Sequence, residues 1–188
     1  MIFETCNVSV DFTQANDIDG LVAVYNSHPA FLGQHLNRDT VTGEWMSDEV
    51  KATRDAGFWS CKVTAKSTGE VVGLMDVHMD TETYLSLLMV HRDYAHQGIG
   101  QEVYGGLEAY ARAHQSRSVR IDVVTGYDDR VLDFWVRRGV PSDRGDYAGV
   151  GWCCAFSGDN EKGFGSVKSM WLKRKHKTPG CGNCGSPA

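Results

Sequence analysis

The stretch Tyr84-Leu-Ser-Leu-Leu-Met-Val-His-Arg-Asp-Tyr-Ala-His-Gln-Gly-Ile-Gly-Gln-Glu-Val103 passes from an apolar, strand-like run through a short polar loop into a helical pattern. Gly98 and Gly100 stand where the loop becomes the helix. Glycine at that turn lets backbone N–H groups approach a ligand with no Cβ in the way, and the start of a helix adds partial positive charge. Together these make a cradle for phosphate. A lone Gly-x-Gly is more often only a tight turn, so its surroundings decide the reading.

Upstream, Val8 to Phe12 alternates as a half-buried strand, and Asn16-Asp17 offers an N-cap. The helix that follows places Ile18, Leu21, Val22 and Tyr25 on one stripe and ends at His28-Pro29. Phe31 to Asn37 reads as loop, and Thr42 to Asp55 as a second helix with Trp45, Met46 and Val50 inward. Phe58 to Ala65 and Val71 to Met79 form a hairpin across Lys66-Ser-Thr-Gly-Glu70, and Thr83 to Val90 is a third strand.

Downstream, a helix over Gly98 to His114 sets Ile99, Val103, Leu107 and Tyr110 on one face. Strand Val119 to Val124, helix Asp129 to Arg138 and two strand-like segments, Gly149 to Phe156 and Gly165 to Lys173, complete the order. This is a mixed α/β (α+β) arrangement in a single domain over 1–174, and not an alternating doubly wound series. The Gly/Pro/Lys-rich tail, 175–188, reads as disordered.

A second informative segment is Asp128-Asp-Arg-Val-Leu-Asp-Phe-Trp-Val-Arg-Arg-Gly139. The two segments, with a strand between them, resemble the acyl-CoA-binding region of the GNAT superfamily of N-acetyltransferases, and the resemblance covers about residues 8 to 173. The family's Arg/Gln-x-x-Gly-x-Gly/Ala falls on Ala95-His96-Gln97-Gly98-Ile99-Gly100, where Ala95 departs from it. Its Asn-x-x-Ala-x-x-Phe-Tyr-x-x-x-Gly-Phe falls on 128–140. Phe134 and Gly139 agree, whereas Asp128, Val131, Trp135 and Val140 differ.

The resemblance implies a central mixed sheet of six or seven strands flanked by about four helices, with acetyl-CoA as co-substrate and no metal. It implies that Leu88, Met89 and Val90 pair with the pantetheine arm, and that His96, Gln97, Gly98, Ile99, Gly100, Gln101 and Asp128 belong to the cofactor site. With Ala95 in the first position, backbone amides, Gln97, His96 or Arg92 would supply the missing diphosphate contact. A primary amine of a small molecule or peptide would attack the thioester directly, with no acyl-enzyme.

Some family members use a glutamate on the strand as base, and this chain has Tyr84 at the matching position. Glu82, two residues earlier on the same face, is the first candidate, with Asp76 and His78 on the neighbouring strand. For Glu82 the plainer reading is a solvated turn carboxylate. Trp135 stands where the family often has a tyrosine acid, leaving Tyr127, Tyr147 or water for that step. A non-catalytic acyl-CoA sensor of the same fold is the alternative.

At 188 residues the chain suits one core, and its net charge of -5 argues against a nucleic-acid partner. No run approaches a membrane span, and the first residues show no secretory pattern, so the expected location is cytoplasmic. Six cysteines then read as reduced thiols; Cys181-Gly-Asn-Cys184 is half a zinc site without its partner. The basic run 173–177 reads as a solvated end, and Trp45, Phe58, Trp59, Trp152 and Trp171 as core before pocket. The resemblance allows a homodimer through the last strands.

Overall fold

The computed structural model describes residues 1–124, 128–138, 142–143 and 150–155, all within one unit spanning Met1–Ser157. The expected strand over Gly165 to Lys173, the tail and its cysteines lie outside the described residues.

The first strands are β1 (Phe3–Glu4) and β2 (Val8–Phe12), followed by α1 (Ile18–Asn26), α2 (Pro29–Phe31) and α3 (Gly43–Asp55). Then come β3 (Trp59–Ala65), β4 (Val71–His78), β5 (Glu82–Val90), α4 (Ile99–Ala113) and β6 (Ser118–Val124). Helix α5 (Asp129–Val136), β7 (Ser142–Asp143) and β8 (Val150–Ala155) close the order. The sheet runs β1-β2-β3-β4-β5-β6-β8-β7, antiparallel except where β5 meets β6 in parallel.

Each sheet face has its own core. Val8, Val10, Cys61, Val63, Met75, Leu85, Val119 and Ile121 pack under Val103, Tyr104, Leu107 and Ala111 of α4. On the opposite face Leu74 and Met89 meet Leu21, Val24, Tyr25, Met46 and Val50 from α1 and α3. Gly20 lets α1 settle onto β4, because a Cβ there would stand 2.7 Å from the Val71 Cβ. The mixed α/β class follows from this two-sided burial.

One departure from the sequence reading has a local cause. Phe31 to Asn37 is helical and not a loop: Pro29 opens α2 at its first turn, Leu32–Leu36 continues as a π-type turn, and Asn37 ends it at φ 50°. Phe31 and Leu32 are buried there, so packing supplies an order that no periodicity announces. Among the described residues the sheet has six longer strands, as expected, with the two-residue pairings β1 and β7 added at its two ends.

The β1–β2 turn is tied to α4. The Glu102 carboxylate accepts from Thr5 Oγ1 at 2.7 Å, from the Asn7 backbone N–H at 3.2 Å and from Asn7 Nδ2. The Thr5 and Asn7 hydrogen bonds hold its pKa below the ordinary 4.5. A depressed carboxylate stabilises the fold above its unfolded pKa and loses that contribution as pH falls through the folded value. Glu102→Gln should therefore lower thermal stability at neutral pH by about 1 kcal/mol and flatten the loss on acidification below 4.5, both read by melting curves across pH.

Candidate active site

Strand β5 changes partners along its length. Glu82 to Leu85 pair with Ser118 to Ile121 of β6, and there the parallel ladder stops. Beyond it β5 stays on β4 as far as Val90 opposite Gly73, while β6 stays on β8 as far as Val124 opposite Val150. The strands diverge, and a gap opens at their carboxyl ends, where ligand sites of open α/β sheets lie.

The divergence begins at a bulge. Asp76 faces Leu87 and Val77 faces Leu85, so Ser86 is an extra residue in β5. Its Oγ donates to the Asp76 carbonyl at 3.2 Å. The extra residue also reverses the phase of the side chains: Leu85 packs on the α4 side before it, and Leu88 and Val90 do so after it, while Leu87 and Met89 face α1 and α3.

The backbone on this edge follows from one hydrogen bond. The His91 N–H donates to Val72 O at 2.8 Å, which makes Val90 and Gly73 a non-hydrogen-bonded pair. Val90 therefore turns its N–H and C=O away from β4 into the gap, and by alternation so does Leu88. Met89 turns its backbone to β4 and buries its side chain. Among the described residues, the partner found for these outward groups is His28, whose Nε2 lies 2.8 Å from Val90 O.

At the mouth of the gap stands the N-terminus of α4. Gly98 caps it at φ 82°, and a Cβ there would meet nothing within 4 Å. His96 is also left-handed, at φ 64°, a conformation costly for a residue with a Cβ. His96, Gln97 and Gly98 are exposed, as is Gln101, while Ile99 anchors the turn in the core. The amides of Ile99, Gly100 and Gln101 are in the first turn and have no intrahelical acceptor. Gly100 faces the Phe134 ring, with which a Cβ would make only ordinary contact at 3.7 Å. Helix N-termini of this kind attract anions through such amides and the helix dipole.

The remaining candidates are placed as follows. The Gln97 side chain donates to Asp93 O at 2.9 Å and so braces its own turn. Asp128 caps α5, accepting from the Arg130 backbone N–H at 3.0 Å and from its guanidinium at 2.7 Å, and Arg130 holds its pKa low. Glu82 is exposed at the paired end of β5, with Ser118 Oγ 3.5 Å away. Tyr84 lies between the Phe58 ring, at 5.5 Å, and the Arg120 guanidinium, at 4.5 Å. Asp76 is buried on β4, and His78 Nδ1 is 2.8 Å from Gly57 O. Trp135 is core, edge-on to Tyr104 at 5.1 Å. Tyr127, Gly139, Val140 and Tyr147 lie outside the described residues. Among the described residues no three His, Cys, Asp or Glu side chains gather as a metal site, and no helix is long and apolar enough to cross a membrane.

His28 is the residue that sequence reasoning missed. It counts there only as half of a helix-ending His-Pro, and nothing in its spacing marks a contact with a strand 62 positions away.

A family model described as acetyltransferase (GNAT) family matches residues 25–140. No curated protein matches the chain. Among solved structures, an acetyltransferase from Thermus thermophilus superposes with a TM-score of 0.66 at 17% identity, over 80% of this chain and 97% of that one. A GNAT-family acetyltransferase from Bacillus anthracis gives 0.64 at 9% identity, over 81% and 96%. The PaiA N-acetyltransferase from Thermoplasma acidophilum, solved in complex with coenzyme A, gives 0.58 at 12% identity, over 78% and 97%. At these identities the likeness is one of fold.

The gap's rim is held by the turn after α1. Ser27 Oγ accepts the Arg92 N–H at 3.1 Å and donates to Val24 O at 2.7 Å. Ser27→Ala removes that acceptor, and hydrogen exchange at the Arg92 amide should quicken by roughly tenfold, the effect of about 1.4 kcal/mol of lost local protection. Native-state exchange read by NMR checks this.

Proposed function

We propose that this chain, which belongs to the acetyltransferase (GNAT) family, moves an acetyl group from acetyl-CoA to a primary amine of a small molecule or peptide, by direct attack in a ternary complex. The observation that carries the reading is the gap. β5 parts from β6 after Leu85 and presents the backbone of Leu88 and Val90 just ahead of a glycine-capped helix N-terminus.

An extended pantetheine arm suits such an edge as an added strand. The pyrophosphate then falls at the amides of Gly98, Ile99, Gly100 and Gln101, with the helix dipole behind them and His96 and Arg92 at the rim. These backbone groups take the place of the side chain that Ala95 lacks. The Leu88 N–H is the group best set to polarise the thioester carbonyl. The amine attacks only when neutral, so a proton acceptor is required. Glu82, with Tyr84 on its face, is one candidate, but it lies roughly 20 Å along β5 from Leu88, a span that only a chain of several waters would cross.

A second reading, a non-catalytic acyl-CoA-binding module, is favoured by Ala95 and by Trp135, which offers no acidic hydroxyl where a leaving thiolate needs a proton. The cytoplasm is the compartment we propose; the free thiols of Cys6 and Cys61 suit it.

The deciding experiment incubates the full chain with acetyl-CoA and a panel of aminoglycosides, polyamines, amino acids and peptides. CoA-thiol release above the no-amine control, with product seen by mass, supports the enzyme and names its acceptor. CoA binding by calorimetry without turnover supports the module. Gly98→Glu, which puts a side chain and a negative charge into the cradle at φ 82°, should weaken CoA binding by at least about tenfold. Unchanged affinity in a folded variant would remove the cofactor assignment.

A further inference from the structure

His28 already touches the open edge of β5. Its Nε2 is 2.8 Å from the Val90 carbonyl oxygen. A carbonyl only accepts, so Nε2 carries the ring proton and the neutral ring keeps its lone pair on Nδ1. The turn that presents the ring is fixed from its other side, where Ser27 Oγ accepts the Arg92 N–H. The imidazole is thus held in one tautomer at the rim of the gap.

The groups acting on His28 come from three places. Burial lowers its pKa below the ordinary 6.5, and the charges of His91 and Arg92, in the segment after β5, push the same way. The bond to Val90 and the carboxylate of Asp128, at the start of α5, push upward by less. The balance leaves a neutral, proton-accepting ring near pH 7.

We propose that His28 is the proton acceptor that activates the amine. The proposal rests on the acetyl-transfer reading above and assigns its missing base. Val90 is two residues from Leu88, about 7 Å along the strand, so the proton would pass from the amine to Nδ1 by way of water. Nδ1 takes a proton from the acceptor's ammonium. The neutral amine attacks the thioester carbon; the C–N bond forms and the C–S bond breaks. The second N–H proton leaves with the thiolate as CoA thiol, and the imidazolium returns its proton to solvent. Nε2–H stays on one lone pair of Val90 O throughout and leaves the other to the pantetheine arm, so the ring need not turn.

His28→Gln tests this, because the glutamine amide keeps a donor for Val90 O but takes no proton. With acetyl-CoA and the most reactive amine of the panel, kcat should fall on the order of a hundredfold while CoA affinity stays within about threefold. The wild-type fall of kcat/KM on acidification, below the ordinary 6.5, should disappear. His28→Leu should lose CoA affinity as well. Free CoA added to the wild type should shift the His28 imidazole NMR signal. A Gln variant that keeps its kcat within about threefold, or keeps the acid limb, overturns the assignment and leaves acetyl transfer standing. So does a Gln variant whose activity falls only as far as its CoA affinity. A wild type that binds CoA and turns over no amine overturns both.

Discussion

One extra residue in β5 governs the functional half of this molecule. With Ser86 inserted opposite a single step of β4, the strand cannot stay in register with both neighbours. It keeps β4 and abandons β6. A sheet that would otherwise be continuous acquires an internal edge, without a strand partner among the described residues beyond Leu85, and unpaired strand edges invite a partner. The helix N-terminus at Gly98 follows the end of this edge after a short polar turn, so a ligand with an extended arm and an anionic end finds both in sequence.

The rest of the fold holds that edge open without letting it fray. The core under α4 anchors Leu85 and takes Leu88 and Val90 against it, while the core under α1 and α3 fixes Met89 and Leu87. The strand is therefore gripped on both faces where it lacks a neighbour in the plane. Tyr94, in the turn between β5 and α4, donates to the Glu70 carboxylate at 2.8 Å and fastens that turn to the β3–β4 hairpin. Ser27 and His28 fasten it to the end of α1.

Much of this was legible in the residues themselves. Gly98 marks the turn into α4 because its φ of 82° is one that few residues but glycine adopt, and the alternation in β3, β4 and β5 and the stripe of α4 announce the sheet and its covering helix. The bulge was not legible: Ser86 looks like any polar position in an alternating strand, and its displacement exists only relative to β4. Glu82, chosen by alternation from Tyr84, stands at the paired end of the strand because it opens β5, ahead of the bulge and far from the open edge. His28 was hidden for a related reason, since its partner is a backbone carbonyl and carbonyls carry no residue type. The helical character of Phe31 to Leu36 escaped because burial of Phe31 and Leu32, and not a repeating pattern, creates it.

Helix α4 is grasped at two points close together. Gly98 opens the cradle, and Glu102, whose N–H bonds back to Gly98 O at 3.0 Å, reaches out to the Thr5–Asn7 turn. One helical turn thus joins the β1–β2 turn to the glycine-capped start of α4. Strain placed on residues 5–7 therefore reaches the first turn of α4 directly, through one carboxylate and one backbone hydrogen bond.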